Sequence, residues 1–362
     1  MEEQAVRRGS ILPRMLPLLL LTVLALAAGR GQSLAAVIAS RVQFCLQTLI
    51  PSLFICMVLA NLLRESGAAG VLGRRARLTA RLLHLSPSGA GIFWISQLAG
   101  YPVGTLLLRR QYENGAIPAS DAARLACVCF GGGPAFAVGF AGAGLLGSPA
   151  AGWVMLGACI AANLLTGAVI CRNITPKPAQ ISTRCTLTAE NLTGAVSAAQ
   201  RSLAAICGTV LLFGGVYWLA ETAGLIRLLE SLCGMFGVRR QVCGAVTAAV
   251  SDLTQLAPLA ECGLQWRVLL PLTAALLSFG GICVHLQCIS LGGGVISAKK
   301  LLTVRLCTAL TAALLTAAAM SFLPVPEAEA VFSVRVLPSE SGSVVPGLLI
   351  FCTGFPFLIK KD

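Results

Sequence analysis

The sequence predicts an all-α, polytopic membrane protein built from two inverted repeats with re-entrant hairpins and broken helices. Three observations carry that reading. Of 362 residues, 56% are hydrophobic and 11% charged, with a mean hydropathy of +0.84; a soluble domain carries about a quarter charged residues. The Lys and Arg residues sit in short loops between apolar runs, where they orient helices. The apolar runs are broken by glycine and proline at Gly100-Tyr-Pro-Val-Gly104, Gly131-Gly-Gly-Pro134 and Ser278-Phe-Gly280-Gly281.

In lipid an unpaired backbone group costs several kcal/mol, so such breaks survive only inside protein or beside a water-filled cavity. They therefore point at a site. The net charge of +13 belongs to the loops, and no nucleic-acid partner is expected. The 15 cysteines lie mostly inside apolar runs without the paired spacing of a zinc site, and read as small hydrophobes. No metal or cofactor is expected.

Taken in order, residues 1–40 form an N-terminal membrane segment. Arg7, Arg8 and Arg14 precede or open an apolar run that resembles a cleavable leader but is read as a retained helix, 11–28. A first repeat covers 41–171. It opens with a span at 42–63 containing Pro51-Ser-Leu-Phe54, long enough for a core of about 30 Å. Arg74, Arg77 and Arg81 then face opposite Leu72, Ala76 and Leu83 on a helix expected along the inner surface. The loops 64–86 and 109–124 are both basic, so residues 88–108 must enter the membrane and return on the same side. Spans at 125–148 and 150–171 close this half.

A polar linker, 172–201, is placed in the cytosol, which leaves the Asn173-Ile-Thr and Asn191-Leu-Thr glycosylation patterns without meaning. The second repeat, 202–322, has spans at 203–220, 268–290 and 301–322 and a re-entrant segment at 241–257. Residues 323–362 make an outer loop with Glu327, Glu329 and Glu340, then a span at 344–359. This threading places 20 of the 27 Lys and Arg residues inside. Both halves read as span, hairpin, glycine-broken span and span, starting from opposite sides.

Half-helix ends carry partial charge and free amides, and in repeat-built transporters they hold substrate and coupling ion. The candidate substrate residues are Gly100, Tyr101, Pro102, Gly104, Gly132, Gly133, Pro134, Ser251, Thr254, Gly280, Gly281, His285 and Gln287. Asp252, the carboxylate this threading buries in the membrane, is the candidate for a coupling proton or cation; the alternative is a structural cap on a half-helix. His285 can pair with a carboxylate in either protonation state, although a lone histidine also serves as a core residue. Gly131 to Pro134 offers amides to an anion, or simply close packing. Glu261 and Arg267 are expected to pair at the outer interface.

Pro51-Ser-Leu-Phe54, Gly100-Tyr-Pro-Val-Gly104, Gly132-Gly-Pro-Ala-Phe136 and Ser278-Phe-Gly-Gly-Ile-Cys-Val-His-Leu-Gln287 together resemble the sporulation integral membrane protein YlbJ family, over roughly residues 40–320. That family is built from two nucleoside-recognition (Gate) domains. The resemblance implies a fold similar to concentrative nucleoside transporters. It also implies a role in moving dipicolinate across the mother-cell-derived membrane toward the forespore. Two departures stand out: Ser251-Asp252-Leu-Thr254-Gln255-Leu lacks the expected glycine, and Gly132-Gly133 stands where relatives carry a polar side chain.

The expectation is thus a multi-pass membrane transporter of a small anionic metabolite, in contact with the lipid bilayer and with homo-oligomer formation left open. The alternatives are a nucleoside or nucleobase transporter and a non-transporting sporulation assembly protein. An enzyme is not expected, because the chain has two histidines, no His-Glu-x-x-His and no paired buried carboxylates.

Overall fold

The computed structural model describes residues 28–65, 72, 75–115, 117–172 and 188–322. The expected span at 344–359, all but the last residue of that at 11–28, the acidic loop, Arg74 and linker residues 173–187 lie outside the described residues. Those described form helices and turns, with no strand among them.

Helices α1 (Gly31–Phe44) and α2 (Ile50–Glu65) are joined by a π turn, Cys45–Leu49, in which Ile50 N–H donates to the Cys45 carbonyl. Pro51 explains the widening, since its ring occupies the space of the preceding turn and its nitrogen has no proton to give. The pair bends by 59°. The expected inner-surface helix is short: α3 (Arg77–Leu82) exposes Arg77 and Arg81, and also Leu78 and Leu82, while Thr79 is buried. Trp94 Nε1 donates to the Thr79 hydroxyl at 3.0 Å, fastening α3 to the helix that follows.

The first hairpin is formed as expected, by α4 (Pro87–Ala99) and α5 (Val103–Glu113) around a tip at 100–102. Ser86 caps α4 by accepting from Gly89 N at 3.3 Å, with Pro87 in the first turn where its missing N–H costs nothing. The expected glycine-broken span at 125–148 consists of α6 (Ala119–Ala126), an irregular stretch, and α7 (Ala135–Leu145), which is wound as a π-helix. Its 11 residues are too few to cross a core about 30 Å thick. It packs on α8 (Pro149–Ile170): a Cβ on Gly142 would lie 2.7 Å from Gly152 Cα.

The second half begins earlier than expected. Thr188 caps α9 (Ala189–Thr222) by accepting from Asn191 N at 3.1 Å, so the end of the linker is helical. Next come α10 (Leu225–Met235), α11 (Arg240–Ser251), a 3₁₀ turn at Leu253–Gln255, α12 (Ala257–Glu261), α13 (Trp266–Phe279), α14 (Gly281–Leu291) and α15 (Ala298–Phe322).

Among the described residues, four segments are long and apolar enough to cross a membrane: α8, α9, α13 with α14, and α15; the bent α1–α2 pair makes five. The chain is a multi-pass membrane protein. Its core lies where α15 packs against α8 and α13, with α9 against α2.

Candidate functional site

Both breaks and both hairpin tips converge. At the first tip, Tyr101 N–H donates to the Gly131 carbonyl at 2.7 Å, across a cis Tyr101–Pro102 bond. Gly133, at φ +68°, would place a Cβ 3.1 Å from both Leu98 O and Gly100 N. At the second tip, Gly281, at φ +77°, would place one 3.0 Å from Leu253 N. Only glycine combines that left-handed backbone with so close an approach. The two breaks also meet: a Cβ on Gly280 would strike the Phe130 ring at 2.5 Å.

A polar network holds these breaks in place, and Arg305 is its centre. This side chain on α15 is 0% exposed. Its Nε donates to Ser278 O at 3.1 Å, Nη1 to Cys127 O at 3.0 Å and Asn163 Oδ1 at 2.7 Å, and Nη2 to Ser278 O and to Ser278 Oγ at 3.0 Å. All five guanidinium protons are thereby used. The group also lies 4.5 Å over the Phe130 ring.

The carbonyls it receives belong to the C-terminal ends of α6 and α13, where the helix dipole is negative. Asn163 of α8 adds bonds to Phe130 O at 2.8 Å and Gln97 Oε1 at 2.9 Å, and Gln97 donates to Val128 O at 3.1 Å. Backbone groups freed by the break are thus satisfied from three helices, α4, α8 and α15, as buried polar groups require.

Between the tips lies a cavity of about 40 Å³, and six of the candidate residues line it: Gly100, Tyr101, Gly132, Asp252, Thr254 and Gln287. Phe136, Ile206 and Cys283 are among its apolar walls. Asp252 is 2% exposed. Its Oδ1 accepts from Thr254 N at 3.1 Å and its Oδ2 from Thr254 Oγ at 2.7 Å, so it caps the 3₁₀ turn and lines the cavity at once. Gln287 donates to the Thr209 hydroxyl on α9. The Tyr101 hydroxyl has no partner among the described residues, and a Cβ on Gly132 would sit 3.4 Å from it.

No protein-family model, curated protein or solved structure matches the chain.

The other candidates stand behind the lining. Pro102 begins α5; Gly104 packs where a side chain would collide with the Cys129 carbonyl. Pro134 begins α7 and Ser251 ends α11. Gly133, Gly280 and Gly281 set the close approaches given above. His285 Nδ1 meets the Gly281 carbonyl at 2.7 Å, which fixes the proton on Nδ1. Its ring lies 4.7 Å from Phe279 and 5.5 Å from Phe130, and Nε2 has no partner.

Four participants are not found from the sequence. Loop charge groups Arg305 with the inner-side cations, although a cation five residues into the apolar stretch 301–322 is itself a signal. Gln97 and Asn163 are single amides in apolar runs. Arg41 donates from Nη2 to Gln255 Oε1 at 2.7 Å, directly behind the second tip. A second acid is buried within the protein: Asp121, 8% exposed, sits in the first turn of α6 with Arg124 at 4.0 Å. Glu261, expected beside Arg267, lines a second cavity next to Gln255.

Proposed function

We propose that the chain is a membrane carrier for a small, carboxylate-bearing metabolite, with Asp252 binding the coupling proton or cation and the two halves related by inverted topology. The observation that carries this is the convergence of two hairpin tips and two helix breaks on one largely apolar cavity into which a buried carboxylate, Asp252, is set. A structural membrane protein has no need to break two helices opposite each other and then cap the loose carbonyls with a buried arginine.

The cavity volume of about 40 Å³ fits a few waters or a bare ion, whereas metabolite sites run to roughly 300–1,000 Å³. The arrangement is therefore closed, and a solute enters when the tips part. The Tyr101 hydroxyl, buried without a partner among the described residues, lines this cavity and favours a ligand that offers an acceptor. Resemblance to the YlbJ family makes dipicolinate the first solute to try, in a sporulation setting.

Uptake of dipicolinate into proteoliposomes, with uridine as competitor and Asp252→Asn alongside, tests the reading. Uptake that ignores uridine and falls in the variant supports it. Uridine entry alone keeps the carrier and replaces the solute, and entry of neither moves the assembly-protein reading to the front.

A further inference from the structure

A second cavity is larger than the one between the tips. Behind the second tip, α1, α9, α10, α11 and α12 enclose a vestibule of about 510 Å³, within the range of small-molecule sites. Its lining carries both signs of charge. Arg41 and Gln255 are tied together by the 2.7 Å bond from Arg41 Nη2 to Gln255 Oε1. That bond uses the acceptor of Gln255 and leaves two buried donors, Arg41 Nε and Gln255 Nε2, with no partner among the described residues. Gln255 is only 4% exposed and follows directly from the Asp252 turn through Gln255 N to Asp252 O at 2.8 Å.

The same lining holds three carboxylates, Glu221, Glu230 and Glu261, together with Tyr217. Glu230 is held close to α11, since a Cβ on Gly244 would lie 2.5 Å from its Oε1.

Two unpaired donors ask for an anionic acceptor, and three carboxylates ask for a cation. A ligand with one sign of charge satisfies one set of groups and is opposed by the other. We propose that this vestibule is a binding site for a zwitterion of the α-amino-acid class, its carboxylate on Arg41 and Gln255 and its ammonium among Glu221, Glu230 and Glu261. The site stands beyond the carrier reading, because it holds whether or not its ligand is the solute transported.

Thermal unfolding of the purified full-length chain tests it, with glycine, L-alanine and L-glutamine as zwitterionic probes. Putrescine and dipicolinate serve as single-sign controls. At least one amino acid should raise the midpoint saturably while neither control does. Glu230→Gln, and Gly244→Ala, which only displaces the flexible end of Glu230, should each weaken binding about tenfold while the ligand-free midpoint stays in place; Arg41→Gln should abolish the response. The proposal is overturned if a single-sign control binds as well as the amino acids, if the response survives these variants, or if no probe in the panel binds. Dipicolinate uptake through the central cavity is a separate readout, so either reading can fail alone.

Discussion

The two hairpin tips reach the central cavity by different means. At the first, the backbone makes the contact: Tyr101 N–H bonds the Gly131 carbonyl and Gly133 slots against Gly100 and Leu98, while side chains on α4 and α8 cap what is left over. At the second, a side chain with chemistry of its own, Asp252, folds the tip by capping its turn and faces the cavity. One half supplies fit and the other supplies a charge. The two tips should therefore fail differently when changed.

Arg305 is common to both, so replacing it should have the largest effect. Arg305→Leu strands acceptors on both breaks and should cost roughly 3–5 kcal/mol, read as a collapse of the thermal midpoint in detergent; Arg305→Lys keeps the charge but not the fork and should recover only part. Equal midpoints for Arg305→Leu and the wild type would refute the shared anchor.

Asn163→Leu should harm the first break alone, by about 1–3 kcal/mol, with a smaller fall in the same measurement. Gly133→Ala attacks the fit directly, and strain at positive φ should take roughly 1–3 kcal/mol from stability.

Asp252→Asn sharpens the contrast. Its amide keeps an oxygen for Thr254 N–H, so unfolding should shift little, whereas uptake should drop about tenfold or more, about 1.4 kcal/mol in the relevant barrier. A variant that unfolds early but transports normally would make Asp252 a cap and nothing else. Smallest of all, Gly157→Ala on α8, where a Cβ meets nothing within 4 Å, should stabilise by up to about 1 kcal/mol.

Much of this frame was legible in the sequence, because glycine and proline that interrupt apolar runs leave backbone groups which lipid cannot satisfy. Both hairpins, the breaks and the place of Asp252 follow from that logic and from loop charge. The extent of α9 was not legible, since a capped polar helix such as 189–201 carries no apolar stripe to announce itself. The 127–134 interruption is visible as a glycine break, yet its length depends on carbonyl partners supplied by Gln97, Asn163 and Arg305. Those partners lie 31, 33 and 178 residues from the groups they satisfy, and no local pattern connects them. The vestibule is hidden for the same reason, with Arg41 brought to Gln255 across 214 positions.

The place of Arg305 in the chain also bears on biogenesis. The carbonyls of Cys127 and Ser278 leave the ribosome well before the helix that carries their donor. Until α15 arrives, the first hairpin, the first break and the second break can be threaded through the bilayer but not locked. Insertion of that last described span then turns an assembly of provisional segments into a fixed pair of halves, and truncation ahead of residue 298 should yield a chain that inserts yet is rapidly degraded.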